Sequence, residues 1–120
     1  MGTNEESHYS IYVVLVDDYV GTLPSIRRRN PNRDVSKPCL YIGITPKRVG
    51  RRFDFRTATG GLEWRVRRFG FRLMPELYEQ FSPMAYETAL QAAEQLAEDL
   101  RAKGFGVVNG ICDGRRVSRP

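Results

Sequence analysis

The chain predicts an α/β (α+β) domain, a small three-stranded antiparallel β-sheet flanked by helices, and three observations carry the prediction. Two short runs rich in β-branched and aromatic residues, His8 to Val16 and Cys39 to Ile44, have the length and composition of buried strands. From Ser82 to Gly104 the apolar residues return at helical spacing instead. Between these regions Phe71 to Phe81 alternates loosely and contains Pro75, which suits the edge of a sheet better than its centre.

A chain of 120 residues fits one domain with a modest core that needs no metal or disulfide staple. Its 41% hydrophobic and 28% charged residues are those of a globular protein. Nineteen Lys and Arg stand against 14 Asp and Glu, for a net charge of +5, and 16 of the 19 are arginine. The guanidinium fork matches phosphate oxygens bidentately, so a polyanion is the natural partner class, although a coding preference for arginine would give the same ratio. Cys39, Cys112 and the single His8 lack the spacing of a zinc site or a disulfide framework. No leader pattern and no membrane-length apolar run is present, so no membrane partner and a cytoplasmic location are expected.

In chain order, residues 1–8 form a polar, flexible N-terminus, 9–112 the domain and 113–120 a basic tail. The first strand, His8 to Val16, leads into a long inter-motif connection over residues 17–38. This connection is read as a mobile loop or extended hairpin, and its Arg27-Arg28-Arg29 run is either solvated charge or a basic arm for nucleic acid. The second strand, Cys39 to Ile44, is placed antiparallel to the first. Thr45 then offers an N-cap and Pro46 a first helical position for a helix from Lys47 to about Ala58, which Gly50 weakens and Gly60-Gly61 ends. A second short helix spans Leu62 to Phe69, with Arg65, Arg67 and Arg68 outside and Trp64 read as core.

The longest helix takes Ser82 as N-cap and Pro83 as its first residue. Tyr86, Ala89, Leu90, Ala93, Leu96, Ala97 and Leu100 make its core face, and Val107 to Ile111 follows as a short apolar exit. Glu94 falls at the margin of that face, about 40° from Leu90, where a carboxylate shielded from bulk water suits a hard cation. A surface glutamate would show the same spacing, and Glu87 and Glu98 are its rivals for a metal.

Ser10-Ile11-Tyr12, then Tyr41-Ile42-Gly43, an arginine at the start of a helix, Glu94 on a later helix and Asn109 fifteen residues beyond together resemble the GIY-YIG nucleases. The resemblance covers Tyr9 to about Gly110. It implies that the two tripeptides lie on neighbouring antiparallel strands and that the chain is a metal-dependent endonuclease. The helix arginine is Arg51 or Arg52, with Arg52 preferred because Phe53 then takes the apolar place after it and Arg56 follows one turn on. Three departures stand out. Ser10 replaces a glycine, the 22-residue connection is longer than the family's hairpin, and Arg56 stands where a histidine is common, with no proton to exchange near neutrality.

The resemblance further implies Mg2+ (or Mn2+) on Glu94, Tyr12 to orient or deprotonate the attacking water, and Tyr41 to support it. Arg52 and Arg56 would face the scissile phosphate, while Gly43 and Asn109 would brace the site. Lys47, Arg48, Arg51, Arg65, Arg67 and Arg68 would track the backbone of double-stranded DNA, with the protein acting as a monomer or homodimer. Taken without the resemblance, Tyr12 and Tyr41 read as core aromatics whose hydroxyls reach the surface, and the arginines also fit a solvated ionic face. A binding module on the same fold that has lost cleavage is the second functional reading.

Overall fold

A computed structural model of the chain describes residues 8–46, 48–50, 53–55 and 68–110. Its centre is a four-stranded mixed sheet in the order β3-β1-β2-β4. Strands β1 (Ser10–Val16) and β2 (Cys39–Thr45) pair antiparallel from Ser10↔Thr45 to Val16↔Cys39. Strand β3 (Gly70–Leu73) runs antiparallel along the other side of β1, with a register shift between Leu15 and Val16. The expected antiparallel trio is therefore present as β2-β1-β3, but the three-stranded description is corrected by β4 (Gly106–Asn109), which lies parallel to β2. Parallel pairing requires a long crossover, and the final helix supplies it. Val107 and Val108, 0% and 1% exposed, have the buried character of such a strand, yet four residues are too few to show a period.

The connection over residues 17–38 does not extend the β1–β2 hairpin and is not an irregular loop throughout. It folds into a 3-10 helix, Asp18–Thr22, and helix α1, Pro24–Arg29. Asp17 starts the first by accepting a hydrogen bond from the Tyr19 N–H at 2.8 Å, and Pro24 opens the second with its preset φ. Ile26 is the residue of α1 that enters the core.

Asn30, 8% exposed, then fastens α1 to the outer edge of β4. Its Nδ2 donates to the carbonyls of Ile26 (2.7 Å) and Val107 (3.0 Å), and its Oδ1 accepts from the Val107 N–H (2.9 Å) and Arg101 Nε (2.9 Å). One carboxamide thus stands in for a missing neighbour strand and satisfies a buried sheet edge.

Two predicted helix starts move. Thr45 is no N-cap but the last residue of β2, paired with Ser10 and 1% exposed. Of the described residues in the helix expected over 47–58, Arg48 to Gly50, Phe53 and Asp54 are not helical, and Phe55 is. A turn from the Gly50 carbonyl to the Phe53 N–H at 3.1 Å replaces helical bonding there, in keeping with the entropic cost of glycine in a helix. The long helix α2 spans Tyr86–Ala102, with Ala85 rather than Ser82 at its N-cap. The chain stays extended through Met84 because Met84 and Tyr9 exchange backbone hydrogen bonds at 2.9 and 2.8 Å. Gly104, at φ 97°, ends the helix where a left-handed residue is needed. Arg68 and Phe69 are helical, as expected, and the rest of the helix predicted over 62–69 lies outside the described residues. β3 takes the edge position that Pro75 indicated.

Helix α2 buries Ala89, Ala93, Leu96, Ala97 and Leu100 and contacts β4, β2 and β1. Leu90 is half-buried, while Tyr86, expected inside, is 41% exposed and stacks obliquely on Tyr9. Three alanines in the buried stripe let the helix sit close to the sheet. Full burial of each leucine stabilises the fold by about 2 kcal/mol.

Candidate functional site

Tyr12 lies opposite Gly43 in the hairpin, and Tyr41 lies opposite Val14. Residues directly across a ladder share a face, and alternate residues along a strand return to it, so both tyrosines rise from the same face of the sheet. Their ring centroids are 6.3 Å apart. Each ring leans over a glycine, Tyr12 over Gly43 of β2 and Tyr41 over Gly110, the residue after β4. A Cβ at Gly43 would meet the Tyr12 hydroxyl oxygen at 2.5 Å, and a Cβ at Gly110 would collide with the Tyr41 phenol. The glycine of the second tripeptide is thus needed because the tyrosine of the first occupies its side-chain space. Phe53 packs edge-on against Tyr12 at 5.0 Å, which ties the segment after β2 back to the pair. Tyr12 is 1% exposed and Tyr41 5%.

The other predicted site residues are placed less closely. Asn109, 3% exposed, sits opposite Ile42 and so belongs to the face away from the tyrosines. It ends β4, in register with the middle residue of the second tripeptide. Glu94 is exposed, which corrects the shielded setting expected for it. At 100° per residue it falls about 60° beyond Ala97, the rim of the buried stripe, and the half-buried Leu90 does not cover it. Glu87 and Glu98 are exposed as well. Arg48 and Arg68 are exposed, and Arg68 stands over the Phe69 ring at 5.6 Å. Lys47, Arg51, Arg52, Arg56, Arg65 and Arg67 lie outside the described residues.

A cavity of about 1030 Å³ opens beside the hairpin, lined among others by His8, Ser10, Arg48, Tyr78 and Glu79. Burial, reinforced by the Glu76 carboxylate, raises the Tyr78 phenol above its ordinary range, so it is a neutral hydrogen-bonding group there.

Among the described residues no three or more His, Cys, Asp or Glu side chains cluster as a metal cage. What Glu94 offers is one exposed carboxylate with space for water. That fits a hard divalent ion that keeps most of its hydration shell, and does not fit a dehydrated ion held by protein alone.

Three features were missed in the sequence. Asn30 precedes Pro31, a pairing that marks a turn, and no local signal marks an asparagine destined for a strand edge. Gly110 escaped notice because the need for glycine arises from Tyr41 on another strand. The cavity joins residues from three separated stretches between His8 and Pro83, and no local pattern marks such a meeting.

Among the described residues no helix is long and apolar enough to cross a membrane. No family model, curated protein or solved structure matches the chain.

Proposed function

We propose that the protein is a metal-dependent endonuclease of the GIY-YIG type that hydrolyses phosphodiester bonds in double-stranded DNA. The observation that carries this reading is the register of the hairpin: Tyr12 opposite Gly43, with Tyr41 on the same face. That arrangement is what the resemblance of the two tripeptides implies. The arginine-rich composition and the α-helical setting of Glu94 add support.

The chemistry needs an oriented water, stabilisation of charge on the phosphate and help for the leaving oxygen. Tyr12 is the group that orients or deprotonates the attacking water through its hydroxyl. Tyr41, its ring centroid 6.3 Å from that of Tyr12, supports it by hydrogen bonding. Arg52 and Arg56 offer fixed positive charge to the phosphate, and neither can exchange a proton. Glu94 would hold Mg2+ or Mn2+ through one carboxylate, and the ion when bound would supply charge stabilisation at the phosphate and leaving oxygens. Asn109 supports the sheet from its opposite face.

A binding module without cleavage is the second reading, and the near-complete burial of Tyr12 and Tyr41 favours it. Nicking of a supercoiled plasmid separates the two. Wild type should nick with Mg2+ and stop on chelation, Glu94→Ala should fall to background, and Tyr12→Phe should lose about 10²-fold or more. Equal cutting by Glu94→Ala, or cutting that survives chelation, refutes the metal assignment. Binding without cutting under all conditions selects the second reading. Arg52→Ala should lose more than Arg51→Ala, and the reverse order would move the role to Arg51.

A further inference from the structure

Helix α1 carries Arg27, Arg28 and Arg29 in succession, all exposed. With Ile26 pointing into the core, steps of 100° fan the three guanidinium groups across the whole solvent side of the helix. A fan follows an extended polyanion better than it grips one small anion. Next to it lies a depression of about 500 Å³ lined by Arg28, Arg29, Arg33 and Arg101, with Glu98 as its acidic member. Arg33 is partly balanced by Asp18 at 3.2 Å, and Arg101 donates from Nε to Asn30 Oδ1 and from Nη2 to the Val107 carbonyl.

The patch is held at a defined place. Asn30, immediately after α1, is bonded to both backbone groups of Val107. Val107 lies opposite Leu40, one residue before Tyr41, and the Tyr41 phenol leans over Gly110, three residues further on. That separation is about 10 Å along the strand. It corresponds to about three base pairs of duplex.

We infer that α1 and the adjoining depression form a docking surface for the phosphate backbone of duplex DNA, holding it alongside the tyrosine pair. The surface rests on the DNA reading above, but its test needs no cleavage. Binding of a short labelled duplex is measured by fluorescence anisotropy in chelator, for wild type, for Arg27→Gln/Arg28→Gln, and for Arg72→Gln. Arg72 is exposed on β3, the opposite edge of the sheet, and serves as the charge control.

Each lost phosphate contact lowers the slope of log K against log salt by about 0.9, so the double variant should lose about 1.8. Between about 50 and about 200 mM salt the wild type should then weaken roughly 12-fold more than the double variant. Arg72→Gln should keep the wild-type slope, and all three proteins should melt alike. A wild-type slope in the double variant, an equal loss in Arg72→Gln, or no duplex binding by the wild type overturns the proposal. Flotation with phosphatidylserine vesicles that the double variant loses, at unchanged duplex affinity, overturns it in favour of a membrane surface. An intact slope effect without nicking would leave this surface standing while the cleavage reading fails.

Discussion

Replacing Asn30 by alanine tests whether one side chain holds the open edge of the sheet. The substitution removes both bonds to Val107, the bond to Ile26 and the acceptor for Arg101. Val107 is 0% exposed, so its N–H is left without a partner and without water, at a cost of about 2 kcal/mol. The Val107 carbonyl keeps Arg101 Nη2 at 3.1 Å, so losing its second donor costs only about 1 kcal/mol more. The sum, about 3 kcal/mol, should appear in urea unfolding as a lower midpoint at unchanged m-value. In a thermal scan it corresponds to roughly 10 °C for a chain of this size. Asn30→Asp sharpens the test, since it keeps the acceptor and the shape but turns a carboxylate toward the carbonyls of Ile26 and Val107. It should be destabilised at least as much as the alanine variant at neutral pH. A loss below about 1 kcal/mol in Asn30→Ala would mean that water or backbone movement satisfies the edge, refuting the capping role.

Gly43→Ala places a methyl in the space of the Tyr12 ring and should cost about 1–3 kcal/mol while abolishing nicking. Gly110→Ala should act in the same way through Tyr41, and wild-type nicking by either folded variant would separate the tyrosines from the chemistry. Burial pushes the Cys39 thiol above its ordinary range, with the Arg33 guanidinium opposing part of that rise. The thiol's contribution is therefore fully present below its unfolded pKa of about 8.5 and is lost as pH rises through the folded value. In a Cys112→Ala background, stability above that pH should fall more steeply with Cys39 than with Cys39→Ala. Parallel pH profiles from urea titrations would contradict this.

The two strands of the hairpin were legible because their apolar runs are continuous, and β2 was placed antiparallel to β1 correctly. The glycine that ends α2 was legible too, as was most of its buried stripe, since both follow from local backbone preference and period. The start of α2 was not. Ser82-Pro83 is a sound local signal, and it lost to a backbone pairing between Tyr9 and Met84, more than seventy residues apart. Likewise the Thr45-Pro46 signal lost to one more step of pairing with Ser10. In each case ladder hydrogen bonds from a distant strand outweighed a single capping bond.

What the sequence determined by itself is the chemical inventory and the pairing that orders it: two tyrosines on adjacent strands, an arginine-rich surface and a glutamate on the long helix. Alternation along a strand places Tyr12 and Tyr41 on one face once the register is known, and the apolar pattern nearly supplies that register. The tertiary structure alone decided that β4 runs parallel beside β2, that Asn109 belongs to the opposite face, and that Glu94 stands in solvent. It also placed a 3-10 helix and the anchored basic helix α1 within the connection over residues 17–38, which the sequence presents as a mobile loop or extended hairpin. The reason is common to all four. Each depends on which backbone edges and faces remain open after the hairpin forms, and that is set by contacts between segments far apart in the chain.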